Sequence, residues 1–187
     1  VFTPLGMGSS TFREPLTGAM LDQMATGYRL VDGRFAAQPY EYIGAVMPAG
    51  PAAATAPEMA PFALALLGGG ALGDARILEP ASVALLFSDS VANAPNLPGM
   101  AHGFYVVQEA DPRLVGHGGN TGDFHSNLVL APDSGFGFFV STTGGRGSGA
   151  GRTDLTNAII GRIFPQPPAP PWTRDDGPQP PMGSFRG

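Results

Sequence analysis

The densest concentration of groups able to do chemistry is the run from Gly116 to Ser126, which reads GHGGNTGDFHS. His117 supplies an imidazole, a group that donates a hydrogen bond or changes charge near neutral pH. Gly116, Gly118, Gly119 and Gly122 let backbone N–H groups approach a ligand closely, as a donor pocket for a developing oxyanion requires. A zinc site drawn from His117, Asp123 and His125 is the rival chemistry, but no helical ligand spacing supports it. The plain structural reading is a glycine-rich turn carrying a surface histidine. His102 has no chemical neighbours in sequence and reads as structural.

Other constellations fail on inspection. No Gly-x-Ser-x-Gly is present, so the strained nucleophile turn of the α/β-hydrolases is missing. All ten basic residues are Arg, which removes the phosphate-cradling Gly-Lys-Ser/Thr loop and any mechanism needing a lysine amine. Gly145, Gly147 and Ala150 match Gly-x-Gly-x-x-Ala, but the helix after them leads into a proline-rich tail rather than a second parallel strand. No cofactor is implied.

The elements that must position this run are readable in outline. Asp32-Gly33 is a favoured two-residue hairpin turn within an otherwise loop-like stretch from Thr17 to Tyr42. Thr55-Ala-Pro-Glu58 is a capping box that starts a helix at Ala56. Met59, Phe62, Ala63, Leu66 and Leu67 make one apolar stripe ending at Gly68, with Pro61 predicted to kink or shorten the helix. Pro80 opens a second helix carrying Val83, Ala84, Leu86 and Phe87, which stops before Ser88-Asp89-Ser90. Residues 103–108, 113–116, 125–130 and 136–142 are β-branched or aromatic runs, and Pro132-Asp-Ser-Gly135 is a turn between the last two, so an antiparallel meander is predicted. After a glycine-rich loop over residues 144–151, Thr153 caps a final helix whose Leu155, Ala158, Ile159 and Ile163 cover the sheet.

Composition bounds the rest. The chain has 187 residues, 43% hydrophobic and 13% charged, enough apolar surface for one folded domain although Gly and Pro make up about a quarter of it. Without cysteine there is no disulfide, thiolate nucleophile or iron–sulfur cluster. The net charge of −5 and singly scattered arginines argue against a nucleic-acid partner. No apolar run approaches the ~20 residues of a membrane span, and the first residues lack the basic-then-apolar order of a signal peptide. The opening on Val1 predicts further polypeptide ahead of it, and residues 165–187 read as a Pro-rich linker or tail of extended polyproline type.

A series of short phrases resembles the serine β-lactamase-related hydrolases, a family that includes class C β-lactamases, esterases, D-aminopeptidases and penicillin-binding proteins. The matching phrases are residues 1–7 (VFTPLGM), 22–28 (DQMATGY), Pro48-Ala-Gly50, Thr55 through Phe62, Arg76-Ile-Leu with Pro80, Gly103-Phe104, Gly116 through Gly119, Phe124-His-Ser126 and Leu130 through Asp133. They cover roughly residues 1–164 in order. The resemblance implies an α+β fold, a mostly antiparallel sheet flanked by helices with a helical lobe. Of this fold the chain holds the later lobe helices, the last three strands and the closing helix.

In that family a serine in Ser-x-x-Lys is the nucleophile, a Tyr-x-Asn tyrosine assists proton transfer, and a third motif, Lys-Thr-Gly or His-x-Gly, lines the pocket. His117-Gly118-Gly119 resembles the third motif, and the backbone N–H of Asn120 is then one oxyanion donor. Ser-x-x-Lys is impossible without Lys, and none of Tyr28, Tyr40, Tyr42 or Tyr105 is followed two residues on by Asn. The implied activity is cleavage of a small-molecule or peptide ester or amide through an acyl-enzyme. The implied partner is a missing N-terminal half of the same domain, without which the chain is inactive. His117 in place of Lys leans toward esterase or peptidase action, and family members are often periplasmic or secreted. The competing reading is a non-catalytic binding or sensor domain of the same fold, and a third is a split enzyme whose two chains associate.

Overall fold

The computed structural model describes residues 1–44, 48–88, 91–92, 99–109 and 111–165. The Pro-rich segment beyond Pro165 and Asp89-Ser90 lie outside the described residues, while Ser88, predicted to follow the helix that opens at Pro80, is its last residue. The chain runs α1 (Ala19–Asp22), β1 (Tyr28–Val31), β2 (Arg34–Ala37), α2 (Ala56–Leu67), β3 (Ala71–Leu72), β4 (Ala75–Arg76), α3 (Pro80–Ser88), β5 (Tyr105–Gln108), β6 (Leu114–Asn120), β7 (Phe124–Ala131), β8 (Phe136–Thr143) and α4 (Arg146–Ile163). This is an α+β architecture built on one antiparallel meander, β5-β6-β7-β8, with two small hairpins, β1-β2 and β3-β4. Among the described residues the sheet has four strands, one at each of the four predicted runs, where the family resemblance implied its last three.

Strand alternation sorts side chains onto two faces. Val115, Leu128 and Leu130 pack with Ala63 and Leu66 of α2, Val83 and Phe87 of α3, and Phe104. On the other face Leu114, Val129 and Ala131 pack with Phe136, Phe138, Ile160 and Phe164. Arg113 donates to the carbonyl of Phe87 and so ties the end of α3 to the strand side. The β7–β8 turn forms at the predicted residues, with Gly135 in the left-handed region at φ 65°. Asp32 and Gly33 both take positive φ between β1 and β2, as a two-residue turn of this type requires. His102 is exposed in the bend before β5.

Helix α2 starts where Thr55 predicts, its hydroxyl accepting from the Glu58 N–H at 3.3 Å. It is not shortened by Pro61. Only the N–H facing the Pro57 carbonyl is lost there, near the first turn, and the buried Ala63, Ala65 and Leu66 carry the helix on to Leu67. The other half of the capping box is redirected. The Glu58 carboxylate accepts from the Ser9 N–H at 2.7 Å and the Ser10 hydroxyl at 2.6 Å, holding the N-terminal segment whose Leu5 and Met7 pack on Ala65.

Those bonds, the Ser10 hydroxyl first and the Ser9 N–H second, hold the Glu58 carboxyl below its ordinary value of 4.5. A depressed carboxyl contributes stability that is present above its unfolded value and lost as pH falls through the folded one. Acidification below 4.5 is therefore expected to loosen the Ser9–Ser10 tether. The ¹³C titration of the Glu58 carboxyl should have a midpoint under 4.5, moving the Ser9 amide signal with it; a midpoint at or above 4.5 contradicts the tether.

Helix α4 departs from expectation twice. It begins at Arg146, with Gly145 at its N-terminal boundary at φ 66°, so most of the predicted glycine-rich loop is helix and Thr153 lies inside it. Its sheet-facing side is also different. Thr156 is buried and bonds Asn127 at 3.0 Å, Arg152 donates to the Ser126 carbonyl at 3.0 Å, and Ile160 joins the apolar cluster, while Leu155 and Ile163 are exposed. The sheet surface there offers a carbonyl, an amide and an imidazole, so the polar face of the helix docks. In α3, Ala84 likewise faces outward.

Candidate active site

The residues from His117 to Asn120 form the second half of β6, not a loop between strands. Glycine disfavours strand conformation, but continuous pairing of His117, Gly118, Gly119 and Asn120 with Leu128, Asn127, Ser126 and His125 imposes it. On the opposite side β5 pairs with β6 only over Leu114–Gly116, so among the described residues the last four border an open edge.

The phase of the ladder is set at its end, where the Thr121 N–H donates to the Phe124 carbonyl at 2.9 Å. In an antiparallel pair, residues with this role alternate. Residues 117 and 119 therefore direct their backbone groups to β7, while Gly118 and Asn120 direct theirs to the open edge.

The side chains divide by the same alternation. His117 lies across from Leu128, is exposed, and stacks on Tyr105 with ring centroids 5.0 Å apart and planes 22° from parallel. Among the described residues its ring nitrogens have no hydrogen-bond partner. The Ser126 and Ser141 hydroxyls, bonded to each other at 2.9 Å, lie on the same side of the sheet as His117. Gly118 occupies a position where a β-carbon would sit 2.7 Å from the Asn127 amide oxygen and 3.0 Å from the Arg152 guanidinium, so a side chain there would have to displace the ends of both. Gly119 faces open space.

Two sets of contacts hold the far end of this edge. The Asn120 amide oxygen lies 2.8 Å from His125 Nδ1, and His125 Nε2 lies 2.8 Å from the Gly145 carbonyl oxygen at the start of α4. The turn over residues 121–123 is clasped by Glu41, whose carboxylate accepts from the Thr121 hydroxyl at 2.7 Å, the Gly122 N–H at 2.6 Å and the Asp123 N–H at 3.1 Å. Asp123 is buried and accepts from Arg29 Nε at 2.6 Å. That bond and the carboxylate's charge raise the Arg29 pKa further above its ordinary value.

The candidate metal ligands His117, Asp123 and His125 thus take separate roles: an exposed stacked ring, a carboxylate paired with Arg29, and an imidazole whose two nitrogens are both bonded. Among the described residues no group of three His, Asp or Glu is arranged to hold a metal ion. Sequence reasoning missed Glu41 and Arg29. They lie about 80 to 95 positions from the turn they hold, and no local pattern marks them. Gly145 serves as the boundary of α4, and Gly147 and Ala150 lie inside the helix rather than in a loop before it.

A family model described as Beta-lactamase matches residues 1–161. No curated protein sequence matches the chain. Among solved structures, the D-amino acid amidase from Ochrobactrum anthropi SV3 complexed with D-phenylalanine is 20% identical at a TM-score of 0.70, over 89% of this chain and 50% of that one. The octameric penicillin-binding protein homologue from Pyrococcus abyssi is 20% identical at 0.66, over 86% and 35%. A D-stereospecific amidohydrolase from Streptomyces sp. is 16% identical at 0.66, over 89% and 47%. At these identities the likeness is one of fold, and the chain spans about a third to a half of the length of the structures it matches.

Proposed function

Because the chain belongs to the beta-lactamase family, we propose that it is the C-terminal part of a serine hydrolase that cleaves an ester or amide through an acyl-enzyme. The nucleophile and its base lie in polypeptide outside this sequence. The observation that carries the reading is the open edge of β6, where the Asn120 N–H points away from β7 and the exposed His117 ring, stacked on Tyr105, lies beside it.

In this reading a serine hydroxyl attacks the substrate carbonyl carbon and the carbonyl oxygen becomes an oxyanion. The Asn120 N–H donates to that oxygen, together with an N–H from the nucleophile's own backbone. The tetrahedral intermediate collapses, the alcohol or amine departs, and water hydrolyses the acyl-enzyme. His117, exposed and stacked on Tyr105, donates a hydrogen bond to the substrate or its leaving group. Lacking Lys, the isolated chain has no Ser-x-x-Lys and is expected to be inactive.

Surfaces left unpaired support an N-terminal half as the partner. Strand β8 is a sheet edge of eight residues with no charged side chain, the kind of edge that another strand extends. Beside it a cavity of about 440 Å³ opens between α2 and β8, lined by Met59, Ala63, Leu67 and Phe139 among others. On α4, Leu155 and Ile163 present an exposed apolar stripe.

The test joins this chain to an N-terminal half carrying Ser-x-x-Lys and Tyr-x-Asn and measures hydrolysis of a chromogenic ester, a β-lactam and an amino acid amide. Turnover of one of them, absent from the isolated chain, is the expected result. His117→Ala should then lower kcat/KM by at least about tenfold. Unchanged turnover removes the role given to His117, and no turnover of any substrate by a folded, joined protein turns the assignment to the binding or sensor reading.

A further inference from the structure

We propose that His125 is a positioning residue for the Asn120 donor, holding the end of β6 through a hydrogen-bonded chain that reaches the first turn of α4. The inference rests on the hydrolase reading of the β6 edge.

The need for such a device follows from the strand itself. Of the five residues Gly116–Asn120, three are glycines, which bring no side chain to pack and more backbone freedom than any other residue. Beyond Gly116 no β5 partner restrains them. What remains is the ladder to β7, the stacked His117 ring and the Asn120 side chain.

The Asn120 side chain is held by a ring that is itself fixed on every side. His125 is its cross-strand partner and only 6% exposed. The His125 carbonyl accepts from the Thr142 hydroxyl at 3.4 Å. A β-carbon on Gly149 would lie 3.3 Å from Nδ1, so α4 closes over the imidazole where it carries no side chain.

The chemistry of the two bonds makes the tether independent of charge state. The Gly145 carbonyl can only accept, so Nε2 carries a proton. An imidazolium donates from Nδ1 to the Asn120 amide oxygen that faces it, and a neutral ring accepts at Nδ1 from the amide N–H once the amide is turned end for end. Either way the same ring holds the same side chain, and the Asn120 N–H keeps its aim at the open edge.

The experiment separates positioning from mere stability. In the joined protein, His125→Ala is expected to lower kcat on the order of 10- to 100-fold, as a displaced donor does. KM should stay within about threefold, because the loss falls on the transition state. His125→Gln, whose amide can donate to Gly145 and meet Asn120, should recover most of kcat. Thr156→Val breaks the comparable β7–α4 bond to Asn127, away from the edge, and should leave kcat within about twofold.

In the 187-residue chain, His125→Ala should shift the side-chain and backbone amide signals of Asn120, and Thr156→Val should not. Wild-type kcat in His125→Ala, an equal loss in Thr156→Val, or unmoved Asn120 signals each overturn the proposal. A joined wild-type protein without activity defeats the hydrolase reading alone, and the Asn120 signals then decide the tether by themselves.

Discussion

Asn120→Pro in the joined protein is expected to lower kcat by about 10²- to 10³-fold, the loss that follows removal of one oxyanion donor. Proline deletes the backbone N–H and little else that the ladder needs. The Asn120 N–H faces the open side of β6, so no bond to β7 is broken, and proline is tolerated on such edges. The substitution also removes the side chain that His125 holds, and Asn120→Ala controls for that by keeping the N–H while cutting the tether. The expected order is wild type, then Asn120→Ala, then Asn120→Pro, with circular dichroism showing the folded sheet in all three. A folded Asn120→Pro protein with kcat near that of Asn120→Ala would mean that the donor is another group.

Leu130→Ala is expected to remove about 3–5 kcal/mol of stability, the range for a fully buried leucine whose site cannot collapse. Leu130 has no exposed surface and joins Val115, Leu66 and Phe104 in the core between sheet and helices. Its neighbour across β8 is Gly137, where a β-carbon would lie 2.7 Å from a Leu130 methyl, so the strand backbone packs directly on the side chain. Against a total of about 5–15 kcal/mol for a folded domain, that loss is large. Leu155→Ala, on the exposed side of α4, should cost under about 1 kcal/mol. Urea unfolding of both variants checks the pair, and a greater loss at Leu155 than at Leu130 would reverse the face assigned to α4.

Local signals carried the parts of the fold that local chemistry can determine. A threonine hydroxyl within reach of the third helical N–H starts α2 whatever surrounds it, and Asp32-Gly33 and Pro132-Asp-Ser-Gly135 turn the chain because their own backbone preferences demand it. The apolar strands and the order of the meander were visible for the same reason.

Three features were decided only by tertiary contacts. Gly118 and Gly119 became strand because β7 pairs with them, against their own propensity. Helix α4 turned its polar face to the sheet because the half-buried Asn127 and the buried His125 need partners there, which Thr156 and the Gly145 carbonyl supply, and burying unsatisfied polar groups costs more than exposing Leu155 and Ile163. Glu41 and Arg29 reached the turn after Asn120 across roughly 80 to 95 residues, a separation over which only the folded chain brings carboxylate, guanidinium and backbone N–H groups together.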